Sequence, residues 1–152
     1  MAGKKFQFPL QRVLTLRNHE TDKASLELAR SIEERKVQEE KLARIEAALR
    51  DAAEQSRAAL PTGPLGFRRL AAHRAALQQA LDREQRTLEE KRRQEEEARQ
   101  RLIQRRRAQE TLQSLHDQAR ARHHEDVIRA ETDFLDELAV MKHARTSSSS
   151  DS

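Results

Sequence analysis

The groups in this chain that could do chemistry are six histidines, 26 carboxylates and 30 lysines and arginines; cysteine, tyrosine and tryptophan are absent. His116 and His123 lie a heptad apart, with His124 beside them. Two imidazoles on one helix converge on a metal at an i,i+4 spacing, and that spacing is missing here. The histidines therefore read as polar residues on a helix seam, and no metal is expected. Acid pairs are plentiful. Paired carboxylates divide into an acid and a base only when burial drives their pKa values apart, and glutamates on a solvated helix lack that burial. Three glycines, Gly3, Gly63 and Gly66, cannot write a phosphate-cradling loop or a dinucleotide fingerprint. Arg101, Arg105, Arg106 and Arg107 raise nucleic acid as a ligand. Consecutive helical residues point ~100° apart, so these arginines form no single stripe. Acids flank them, and no aromatics are interleaved to stack bases. The expectation is a chain with no catalytic residue, no cofactor and no nucleic-acid partner.

What remains is the scaffold. Four of the six Gly and Pro residues fall in one island, Pro61-Thr62-Gly63-Pro64-Leu65-Gly66, between long stretches of Ala, Leu, Glu, Gln, Arg and Lys. Those residues lose least on entering a helix. Charged residues (37%) slightly outnumber hydrophobic ones (36%), which is too little apolar material for a globular core but suits coiled coils. The pattern predicts an all-α fold: a long antiparallel two-helix coiled-coil hairpin, its second helix overhanging at the end where both termini lie. The expected boundaries are a leader at 1–8, a first helix at 9–60, a turn at 61–66, a second helix at 67–143 and a disordered Ser-rich tail at 144–152.

Steps of three and four trace the seam. In the first arm it passes through Leu10, Leu14, Arg17, Thr21, Ala24, Leu28, Ser31, Arg35, Gln38, Leu42, Ile45, Leu49, Ala52, Ser56 and Ala59. The second arm offers Phe67, Leu70, Arg74, Leu77, Leu81, Glu84, Leu88, Lys91, Glu95, Ala98, Leu102, Arg105, Gln109, Leu112, His116, Ala119 and His123. After His123 the phase shifts, as a stutter would produce, to Val127, Ala130, Phe134, Leu138 and Met141. The unequal arms predict an overhang of ~40 Å at 1.5 Å per residue. It carries Val127, Ile128, Phe134, Leu135, Leu138 and Met141, a candidate partner surface. Glu89/Arg93, Glu95/Arg99, Glu97/Arg101, Glu40/Arg44 and Glu46/Arg50 are i,i+4 pairs expected to support each helix without joining the two.

The net charge of +4 is mild for a nucleic-acid binder and suits acidic partners or an anionic surface. No stretch approaches ~18 apolar residues, and the start has no apolar signal core. No transmembrane segment is expected, and the default address is the cytoplasm.

The two ends carry a resemblance. The run Phe6-Gln7-Phe8-Pro9-Leu10-Gln11-Arg12-Val13-Leu14-Thr15-Leu16-Arg17, followed by Glu20, Ala24 and Leu28, resembles the opening of the flagellar export protein FliJ family. Phe134-Leu135-Asp136-Glu137-Leu138-Ala139 is similar to that family's closing segment. The resemblance implies a non-enzymatic stalk of the bacterial flagellar type III export apparatus, an elongated monomer peripheral to the inner membrane at the flagellar base. Its implied partners are the hexameric export ATPase, the cytoplasmic domain of the export gate, and export chaperones. The residues implied for the ATPase ring are Phe6, Phe8, Leu10, Val13, Leu14 and Leu16 with Phe134, Leu135, Leu138 and Met141. Those implied for the gate, near the turn, are Phe67, Leu70, His73 and Leu77. Three other readings stand beside this one: the sibling stalk of injectisome-type secretion, a coiled-coil scaffold that dimerises through the overhang, and a holdase-like chaperone.

Overall fold

The structure is a computed structural model that describes residues 3–58 and 63–150. It consists of two helices, α1 (Gln11–Ala58) and α2 (Gly63–Ser149), packed against each other as an all-α helical hairpin. The expected end of the first helix at Leu60 and the Pro61–Thr62 part of the turn lie outside the described residues.

Each helix end has a local cause. Phe8, Pro9 and Leu10 make a turn in which the Gln11 amide donates to the Phe8 carbonyl at 3.0 Å. Proline's fixed φ suits that position, and Leu14 then donates back to Leu10 at 2.9 Å. Helix α1 thus starts two residues after the expected Pro9. Helix α2 starts four residues before the expected residue 67. Gly63 takes the left-handed conformation (φ 75°), which glycine adopts without steric cost. Pro64 follows inside the first turn, where its missing N–H is no loss. At the far end the helix runs through Ser149, where a disordered tail from 144 was expected. The hydroxyls of Thr146, Ser147, Ser148 and Ser149 bond carbonyls three residues back at 2.8–3.1 Å, so the serines complete the last turns themselves.

The chain forms two compact units. One comprises Glu20–Arg106, the other Met1–His19 with Arg107–Ser152. In the Glu20–Arg106 unit the buried side chains are Thr21, Ala24, Gln38, Leu42 and Ala52 of α1 and Leu88, Glu95, Ala98 and Leu102 of α2. Every one is a predicted seam position. The two helices run antiparallel, because partners rise in one as they fall in the other: Glu20 with Arg105 (3.1 Å), Glu34 with Lys91 (3.0 Å) and Lys41 with Glu84 (3.1 Å). These bridges join the helices through residues outside the expected i,i+4 pairs. A narrow seam rich in alanine brings the helices close enough for long side chains at its edges to reach across. Within α2, Arg99 bonds Glu95 as expected, whereas Arg93 bonds Glu90 and Glu97 and Arg101 turns to Glu27 of α1.

Candidate partner-binding surface

The surface is built in the unit that joins the start of α1 to the second half of α2. Leu14, on the seam, is 3% exposed. Beside it Gln109 donates to Asn18 at 2.7 Å across the helix pair. Around this anchor Val13 and Leu16 stay exposed because they lie off the buried edge of the helix, and Leu10, a seam position in the turn ahead of α1, is exposed as well.

Ahead of the helix the leader turns back along α2. Phe8 meets the His116 ring edge-on at 5.2 Å, and Phe6 meets His116 and His123 at 5.5 Å each. At Gly3 the backbone comes so near Val127 that a Cβ there would sit 3.8 Å from both Val127 methyl groups. The seam histidines thus act as seats for aromatic rings, a packing that supplies about 0.5–1.5 kcal/mol per pair beyond buried area. His116 Nδ1 also lies 3.1 Å from Asp117. Hydrogen bonds from His116 and then Gln113 hold the Asp117 carboxyl below its ordinary value. Sequence reasoning placed Phe6 and Phe8 on a partner. The structure half-buries both on their own chain.

Beyond Val127 every described residue of α2 is exposed. Phe134, Leu138 and Met141 recur on one stripe with Leu135 beside it, and they are between 46% and 63% exposed. Val140, exposed on another face, has no periodic partner and was not anticipated. The four stripe residues expected to meet a partner are therefore uncovered, along with Leu10, Val13 and Leu16, while Leu14 is spent on packing.

In the other unit, Phe67 and His73 are exposed and Leu70 and Leu77 half-buried on the seam. The four residues proposed near the turn thus divide between surface and packing. Among the described residues no group of three acidic or histidine side chains is placed to hold a metal. No helix there is long and apolar enough to cross a membrane.

No curated protein and no solved structure matches the chain significantly. The profile of the family described as Flagellar FliJ protein matches residues 6–148, from the leader that seats on the histidines to the last turn of α2. That span covers nearly the whole chain, and the protein belongs to the flagellar FliJ family, a component of flagellar protein export.

Proposed function

We propose that this chain is the coiled-coil stalk that seats in the hexameric flagellar export ATPase, promotes assembly and activity of that ring, and links it to the cytoplasmic domain of the export gate and to export chaperones. The observation that carries the reading is the uncovered stripe Phe134, Leu135, Leu138 and Met141, in a unit that also exposes Leu10, Val13 and Leu16. Apolar side chains left outside the packing of their own hairpin are the material of partner contacts. Phe67 and His73, exposed near the start of α2, are the proposed gate contacts. The stalk would then work at the cytoplasmic face of the inner membrane.

The test is the turnover and oligomeric state of the cognate export ATPase with and without this protein. Leu16→Asp and Leu138→Asp alter exposed positions and leave the buried seam intact, and Leu26→Asp, 72% exposed in the other unit, is the control. Stimulated turnover and added hexamer, lost in the first two variants and kept in the third, are expected. No binding and no stimulation by the wild-type chain would refute the stalk reading.

A further inference from the structure

The last turns of α2 combine an uncovered apolar stripe with a divided charge pattern. Glu131, Asp133, Asp136 and Glu137 precede Leu138, whereas Lys142, His143 and Arg145 follow it, and no acid lies between Leu138 and Ser150. Nothing in the described chain covers the stripe: the leader meets α2 as far as Val127, and the stripe begins two turns later. Glu131 and Lys142 are eleven positions apart, three turns of helix, so they share one line along the face of the stripe, between Leu135 and Leu138 in angle, and bracket its apolar residues at the two ends. Neither makes an ion pair among the described residues, which leaves both charges available to a partner.

A segment acidic in its first half and basic in its second is complementary to itself reversed. Laid parallel, two copies set acid on acid and base on base. Laid antiparallel about a two-fold axis, acid meets base twice, because whatever one copy offers the other returns. The end of the stripe that carries Glu131 in one copy then meets the end that carries Lys142 in the other. The helix dipoles also oppose in that arrangement.

We propose that a second copy of this chain covers the stripe: two α2 ends pack antiparallel, with Leu135 and Leu138 of each at the centre and Glu131 of each opposite Lys142 of the other. Four large apolar side chains per copy make a small contact, ~1,000 Å² in all, so the pairing is reversible. It occupies Phe134, Leu135, Leu138 and Met141, and a chain paired in this way cannot present them to any other partner. Free protein thus keeps its apolar end covered until a competing partner takes one copy. This inference stands without the ATPase reading, and its test contains no ATPase.

Sedimentation equilibrium of the full chain over a wide concentration range is expected to show a monomer–dimer equilibrium. Glu131→Lys and Lys142→Glu each turn two attractive contacts into two repulsive ones, and each should weaken the dimer about tenfold. The double variant Glu131→Lys/Lys142→Glu restores both bridges in reversed sense and should return the wild-type constant. An equimolar mixture of the two single variants should likewise form the heterodimer in preference to either homodimer. A monomer at every concentration overturns the proposal. So does a dimer indifferent to both reversals, or one that the double variant fails to rescue.

Discussion

Arg35 of α1 donates to Glu95 of α2 across the seam, and Glu95 also accepts a bond from Arg99 one turn along its own helix, at 3.0 Å. Glu95 is among the buried residues of the hairpin, and Arg35 keeps a second bond, to Glu39 at 2.9 Å. Hydrogen bonds from Arg35 to Glu39 and then Glu95 hold the guanidinium pKa above its usual value. The cross-helix bond is a device for register: a slip of one turn would take Arg35 away from the buried acid and leave it only Arg99 of its own helix.

Removing the acid alone should therefore cost stability. Glu95→Ala is expected to lose about 1–3 kcal/mol, because two arginines lose a common acceptor at the seam. Replacing both members, Arg35→Leu with Glu95→Leu, should raise the melting temperature above wild type, since an apolar pair avoids the desolvation of two charges. Thermal melts followed by circular dichroism measure both. A double variant less stable than Glu95→Ala would show the pair to be a net source of stability instead.

The seam itself makes a second prediction. Leu14→Ala, Leu42→Ala and Leu102→Ala remove side chains that are 3%, 6% and 6% exposed, and each should cost about 2–3 kcal/mol. Leu26→Ala, on a residue 72% exposed, should stay within ~0.5 kcal/mol. Seam positions held by Ala24, Ala52 and Ala98 forgo the burial that leucine would supply, so the isolated chain is expected to melt below ~70 °C.

The leader offers a third. Phe6→Ala and Phe8→Ala should each destabilise the unit by about 1 kcal/mol by unseating a ring from His116 or His123. Gly3→Ala should be neutral, since its new methyl would meet Val127 at an ordinary contact distance. The ring-proton shifts of His116 and His123 report the seating directly. If they hold still in the Phe6→Ala/Phe8→Ala double variant, the leader does not dock.

Acid should loosen the hairpin in a defined window. Glu84 is held below its ordinary value of 4.5 by hydrogen bonds from Gln38 and then Lys41, Glu90 by Arg93, and Asp117, below 3.8, by His116 and Gln113. A carboxyl depressed in the folded state takes its proton more readily when unfolded. Its contribution is thus complete above the unfolded value and disappears as pH falls through the folded one. Urea midpoints should hold from neutral pH to ~5 and then fall progressively, and Glu84→Gln should flatten part of that fall. A midpoint that rises on acidification would reverse the sign and remove the assignment.

Two helices, their seam and the uncovered stripe were legible in the residues alone. Helix formation is local: Ala, Leu, Glu and Arg act through their own turn, and the three-and-four step of Leu14, Thr21, Ala24, Gln38 and Leu42 writes the buried edge whatever lies opposite. Helix ends were less legible. The serines of the tail read as a linker by composition, yet their hydroxyls close the last turns, and Pro64 read as a turn residue yet sits inside a helix that Gly63 begins. What only the tertiary structure decided is register. Which acid reaches which base across the seam, and that Phe6 and Phe8 come to rest on histidines more than 100 positions away, depends on how two long surfaces slide against each other. A periodic pattern repeats every heptad and leaves that slide open. Pairs such as Arg35–Glu95 and Asn18–Gln109 close it, because each is satisfied in one alignment and broken in the next.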